Sequence, residues 1–152
     1  MERLDKVISN QVGYSRKEVK ELVKKKRVKV DGIVVANSDG SLINNGTING
    51  NVILSNANAI ITNNGTINVS KNATFSDMFT NKGNLSVIGD GTFSLEVNNS
   101  GTISISNNAN FDASLINSGT ITCGAGDFTV TEYYSGTGTL TLPSGKSTFG
   151  AD

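Results

Sequence analysis

Histidine and tryptophan are absent from this 152-residue chain, and cysteine occurs once. Without histidine there is no imidazole to act as a general base, to complete a nucleophilic triad or to bind zinc. The lone cysteine, Cys123, excludes an internal disulfide framework and any multi-cysteine metal site. Long apolar runs are missing as well. The longest is Ile33-Val34-Val35-Ala36, short of the roughly 7–15 apolar residues that a secretory leader needs. These absences predict a chain without a bound cofactor or metal, without membrane association, and resident in the cytosol.

What is present changes abruptly at Ala36. Residues 1–36 hold ten of the thirteen Lys and Arg but five of the thirteen Asp and Glu, a net of +5. Residues 37–152 hold three basic and eight acidic residues, a net of −5. The overall charge of zero thus conceals a basic head and an acidic body rich in Asn, Gly, Ser and Thr. The head can neutralise phosphates and the body would be repelled by them, so any nucleic-acid function belongs to the head. The expected division is 1–36 and 37–152. At under about 40 residues the head is too small for a self-sufficient core and is expected to lean on the body or a partner.

The head reads as two short helices and a hairpin. Leu4, Val7 and Ile8 form an apolar stripe, and Gly13 can end that helix. Ser15 with Glu18 three residues on is a capping box, in which the serine bonds the N3 amide and the glutamate bonds back to the cap. The second helix places Val19, Leu22 and Val23 on one face. Arg16, Lys20, Lys24 and Arg27 follow one another at i+4, i+4 and i+3 on another face, and Lys17 lies beside them. Val28-Lys29-Val30 and Ile33-Val34-Val35 flank Asp31-Gly32, a tight hairpin signal. A row of cations along a helix can meet successive phosphates, with arginine gripping them bidentately and lysine acting as a point charge. A solvated helix surface is the alternative for the same residues.

The segments Arg3-Leu4-Asp5-Lys6, Ile8-Ser9-Asn10, Gly13-Tyr14-Ser15-Arg16-Lys17-Glu18-Val19 and Arg27-Val28-Lys29-Val30-Asp31-Gly32 shift that balance. Together they resemble the alpha-L RNA-binding domain of small-subunit ribosomal protein four, in the version found at the N-terminus of bacterial ribosomal-RNA pseudouridine synthases. The resemblance implies recognition of structured RNA through shape and phosphates. It also implies that Arg3, Lys6, Ser15, Arg16, Lys17, Lys20, Lys24 and Arg27 are the contact residues. The module is shortened, since the strand that normally follows is missing after Ala36. The synthase domain with its catalytic aspartate is absent, so the implied function is RNA binding without modification chemistry.

The body repeats. Gly46, Gly65, Gly83, Gly101, Gly119 and Gly138 are spaced 19, 18, 18, 18 and 19. Two residues after each comes an aliphatic: Ile48, Ile67, Leu85, Ile103, Ile121 and Leu140. Val69, Val87, Ile105, Cys123 and Leu142 form a second file, and Phe75, Phe93, Phe111 and Phe128 a third. Repeats of this length cannot bury an apolar face alone and must stack. The predicted fold is mainly β: the α-α-β-hairpin head, then a parallel β-solenoid of about six 18–19-residue coils. Asn-Gly and Ser-Gly pairs are expected to make the corners by accepting positive φ. A six-residue rhythm (Ile67, Ala73, Phe79, Leu85, Gly91, Val97) is a feature of triangular left-handed coils. The inward pairs and the phenylalanine file fit a right-handed coil, which is preferred here. The body is similar in composition to the Asn-Gly-Thr-Ile repeats of bacterial surface adhesins and autotransporter passengers.

Candidate chemistry in the body is thin. Asp39, Asp77, Asp90, Asp112 and Asp127 fall at varied phases, so no carboxylate ladder or calcium repeat is expected. Gly145-Lys146-Ser147 ends like a phosphate loop, but Leu140 stands where its first glycine belongs. Leu142-Pro143-Ser144-Gly145 lacks the threonine and apolar tail of a cell-wall sorting signal. Cys123 aligns with Val69 and Ile105 as a core thiol. Thr47, Thr66, Thr102, Thr120 and Thr139, with Asn49, Asn68, Ser104, Thr122 and Thr141, form an uncharged outward face that could suit a sugar or ordinary solvent alike. The leading reading is a non-catalytic binder of structured, rRNA-like RNA, with the solenoid as spacer or partner surface. The alternative is a surface β-solenoid that binds glycan or protein, with the head as a vestigial cap or recombination product. The open ends of a solenoid also predict end-to-end self-association.

Overall fold

The computed structural model describes residues 15–24, 29–30, 33–34, 42–50, 53–54 and 60–150. In the head it shows α1 (Arg16–Lys24) and a hairpin of β1 (Lys29–Val30) with β2 (Ile33–Val34), antiparallel and paired Val30 to Ile33. The earlier of the two expected helices lies outside the described residues.

The body is a parallel β-solenoid, as its glycine period predicts. Its first coil comprises β3 (Leu42–Asn44), β4 (Thr47–Asn49) and β5 (Ile53–Leu54). Next come β6 (Ile60–Asn63), β7 (Thr66–Val69) and β8 (Ala73–Phe75), then β9 (Met78–Asn81), β10 (Asn84–Val87) and β11 (Gly91–Phe93). The fourth coil has β12 (Val97–Asn99), β13 (Thr102–Ile105) and β14 (Ala109–Phe111). The fifth has β15 (Leu115–Asn117), β16 (Thr120–Cys123) and β17 (Phe128–Val130), and the last β18 (Tyr134–Ser135), β19 (Thr139–Thr141) and β20 (Ser147–Phe149). Every third strand stacks in register, so three six-stranded parallel sheets enclose one core. The six-residue rhythm is this three-sided cross-section. Ile67, Ala73, Phe79, Leu85, Gly91 and Val97 are all buried, one on each face in turn.

Each strand alternates inward and outward, as a half-buried strand must. Ile67 and Val69 point in while Asn68 is exposed, and Leu85 and Val87 repeat the pattern in the next coil. The core is therefore a column of like residues. Phe75 stacks on Phe93 at 4.9 Å between centroids and Phe93 on Phe111 at 4.8 Å. The phenylalanine file then departs from its expected course. Phe111 is in register with Val130, and Val130 with Phe149, while Phe128 falls in the file of Ala109. The 17-residue step from Phe111 to Phe128 is shorter than a coil, which moves Phe128 two positions back along its strand. Its ring still reaches Phe111 at 5.7 Å.

The corner glycines also differ from expectation. Positive φ occurs at Gly50, Gly126 and Gly136, not at the repeating Gly65, Gly83, Gly101 and Gly119. There the requirement is space, because a Cβ on Gly83 would collide with the carbonyl oxygen of Gly65, and one on Gly101 with that of Gly83. Coils pack so closely at this corner that the carbonyl of each glycine accepts the amide one residue past the next: Gly65 O from Asn84 N and Gly83 O from Thr102 N, both at 2.8 Å.

Candidate nucleic-acid interface

Helix α1 begins where its sequence says it should. The backbone N–H of Ser15 donates to Glu18 Oε2 at 2.8 Å, and the N–H of Glu18 donates to Ser15 Oγ at 3.3 Å, a closed capping box. Hydrogen bonds from the Ser15 hydroxyl and backbone hold the Glu18 carboxyl below its ordinary value. A negative charge in the first turn also suits the positive end of the helix dipole. Val19 is fully buried and anchors the helix by its apolar side.

Against that anchor, Lys17 and Lys20 are exposed, as is Glu21. Arg16, Lys20 and Lys24 all lie on α1 at four-residue spacing, which places them along one helical face. Eight residues at 1.5 Å each put the ends of that row about 12 Å apart. Ser15, for its part, is engaged as the helix cap. Arg3, Lys6 and Arg27, the other candidate contacts, lie outside the described residues.

The solenoid carries two further arrays. Outward on its β4–β19 sheet, Thr47, Thr66, Asn84, Thr102, Thr120 and Thr139 align in register. Asn49, Asn68, Ser86, Ser104, Thr122 and Thr141 align beside them, and neither file contains a charge. On an edge of the rod, Asn72, Asp90, Asn108 and Asp127 also form one file. Asn72 Oδ1 accepts Asp90 N at 3.0 Å, Asp90 Oδ1 accepts Asn108 N at 3.1 Å, and Asn108 Oδ1 accepts Asp127 N at 2.8 Å. Asp90 and Asp127 thus share a phase that their sequence spacing concealed, alternating with asparagine so that like charges sit two coils apart. Each side chain binds the backbone of the next coil, a structural duty. Asp77 is buried, Asp112 is exposed, and Asp39 lies outside the described residues.

A third array was not anticipated. Asn44, Asn63, Asn81, Asn99 and Asn117 are all buried, each donating its Nδ2 to the Oδ1 of the next asparagine at 2.8 Å as far as Asn117. The same amides reach backbone carbonyls of the coil above, such as Asn81 Nδ2 to Thr102 O at 3.0 Å. The signal was available: asparagine stands two residues before Gly46, Gly65, Gly83, Gly101 and Gly119, though not before Gly138, while the residue between them varies as Asn, Asn, Lys, Ser and Ser.

Among the described residues no group of three or more Cys, Asp and Glu side chains is placed to hold a metal ion. None of the described helices is long and apolar enough to cross a membrane. Burial raises the Cys123 thiol to about 11, which makes it a poor nucleophile. No curated protein and no solved structure matches the chain. Residues 2–39 match the family model of the S4 domain, a match that covers the basic head, runs just past Ala36 and points to RNA binding.

Proposed function

We propose that this protein binds structured, rRNA-like RNA through the basic face of its first 36 residues, without catalysis, and that residues 37–152 serve as a rigid spacer or partner surface. The observation that carries this reading is the coincidence of three features on one short segment. The S4 match, the +5 charge and the cation-bearing capped helix all fall within residues 2–39. The contacts assigned are Arg16, Lys17, Lys20 and Lys24 on α1, with Arg3, Lys6, Ser15 and Arg27 from the rest of the head. Phosphate neutralisation would dominate affinity, so binding should weaken steeply with salt. An RNA partner of this kind makes the protein a cytosolic one.

The test is electrophoretic or filter binding of the full chain to an rRNA hairpin and to an unstructured RNA. Micromolar affinity is expected for the hairpin, falling by an order of magnitude or more between 50 and 200 mM salt. The triple variant Arg16→Glu, Lys20→Glu, Lys24→Glu should abolish it while circular dichroism reports an intact solenoid. Binding by that variant at the parent's strength would refute the reading.

A second reading, glycan binding at a cell surface, is favoured by the uncharged double file on the β4–β19 sheet. A glycan array probed with the full chain decides it: binding that survives the triple head variant and is lost on Thr102→Lys with Thr120→Lys would support it.

A further inference from the structure

Three Asn-Gly pairs stand in the first two coils: Asn45-Gly46, Asn49-Gly50 and Asn64-Gly65. Glycine after asparagine leaves the following amide nitrogen unshielded by a side chain, and that nitrogen can attack the asparagine's own side-chain carbonyl. By sequence the three pairs are alike, and the fold separates them. The N–H of Gly50 donates to Asn68 O at 3.0 Å and that of Gly65 to Asn44 O at 3.1 Å, so both nitrogens are tied to main chain of a neighbouring coil. Gly65 is also packed, since a Cβ there would strike the backbone of Gly46. The N–H of Gly46 instead donates to a side chain of its own coil, Asn44 Oδ1 at 3.1 Å. Asn45 and Gly46 are both exposed, whereas Gly50 and Gly65 are half-buried. The carbonyl to be attacked is polarised as well, because Asn64 Nδ2 donates to Asn45 Oδ1 at 2.9 Å. A donor aimed at that oxygen stabilises the charge it gains in a tetrahedral intermediate.

From these contrasts we infer that Asn45 is a self-modification site, at which the chain converts its own amide to an acid. Gly46 N bonds to Asn45 Cγ, the C–N bond of the side-chain amide breaks, and ammonia leaves with the proton that Gly46 N gives up. The product is a five-membered succinimide. Water then opens this ring at either carbonyl and returns a proton to the nitrogen. One opening gives aspartate, and the other gives isoaspartate, whose main chain carries an extra carbon. The reactants are the chain and water alone. Asn44 clamps Gly46 on both sides, accepting its N–H and donating Nδ2 to its carbonyl at 3.2 Å. The same Asn44 begins the buried asparagine file through its bond to Asn63. Lengthening the main chain between Asn44 and Gly46 therefore breaks the clamp and loosens the first coil.

Incubation of the full chain at pH 8 and 37 °C, followed by peptide mass spectrometry with electron-transfer fragmentation, tests this. In the native protein Asn45 should convert at least tenfold faster than Asn49 or Asn64 and yield both acids. In urea the three should convert at similar rates, because only the fold distinguishes them. Gly46→Ala should slow conversion about tenfold. Asn64→Ala removes an exposed bond and should slow Asn45 at least twofold, whereas a merely loosened corner would speed it. The acidic species, separated by anion exchange, should melt at a lower temperature than the parent. Asn49 or Asn64 converting as fast as Asn45 in the native protein would overturn the inference. So would an Asn64→Ala variant that reacts as fast as the parent or faster, or an acidic species that melts with the parent.

Discussion

Asn81 donates its side-chain amide to Oδ1 of Asn99 at 2.8 Å inside the solenoid, and the same bond links Asn63 to Asn81 one coil earlier. Each amide in this file is both donor and acceptor, so the bonds run in one direction through the core. In so dry a place a satisfied chain specifies the stacking register, and an interrupted one exposes unmet donors and acceptors.

Asn81→Ala should accordingly be among the most damaging single changes in the body. It removes donors to Gly83 O, Asn99 Oδ1 and Thr102 O and leaves Asn63 Nδ2 without its side-chain acceptor. A loss of about 3 kcal/mol is expected in urea unfolding. Asn64→Ala, which removes an exposed bond to Asn45, should stay within about 0.5 kcal/mol. Equal effects from the two would show that the buried file contributes nothing special.

The corner glycines make a matched pair of experiments. A Cβ at Gly83 would strike the backbone of Gly65, whereas one at Gly46 meets nothing within 4 Å. Gly83→Ala should destabilise by about 3 kcal/mol, since the obstacle is main chain and cannot rotate away. Gly46→Ala should be neutral or stabilising by about 0.5 kcal/mol, because its φ is open to alanine and the unfolded chain loses freedom. Thermal melts of the two variants separate steric crowding from conformational freedom as the reason for glycine.

Cys123 predicts an alkaline signature. Burial raises its thiol from 9.0 to about 11. The folded state therefore keeps the proton that the unfolded state releases, so this site's contribution is full below pH 9 and is lost as pH climbs toward 11. Cys123→Ala should flatten that part of the stability profile. In the native protein at pH 8 the thiol should resist maleimide for hours and react within minutes in denaturant.

The capping box predicts the opposite dependence at the start of α1. Glu18 titrates below its ordinary value of 4.5 because Ser15 bonds the carboxylate. Its support for the helix is present above that value and is lost as pH falls through the lowered one. In an NMR titration the Ser15 and Glu18 amide shifts should move together with the Glu18 carboxyl. Ser15→Ala should shift that midpoint upward and weaken RNA binding as the first turn frays.

Much of this architecture was legible beforehand because stacking forces a period. Six evenly placed glycines and the aliphatic two residues after each foretold parallel coils, and Ile67, Leu85 and Ile103 do align. The capping box was equally plain, since it depends on residues three apart. Harder to read were positions whose environment is made by a neighbouring coil. Asn81 and Asn84 are alike in type and three residues apart, yet one is fully buried and the other exposed. Phe128 looked like the successor of Phe111 until a longer corner shifted its register.

The chain's own order of residues determined the division of charge, the coil length and the start of α1, because each is set by composition or by contacts a few residues apart. Only the tertiary structure decided which asparagines turn inward and why the corners need glycine. Those depend on main chain about 18 residues away lying roughly 5 Å overhead, a distance along the sequence at which no local preference acts.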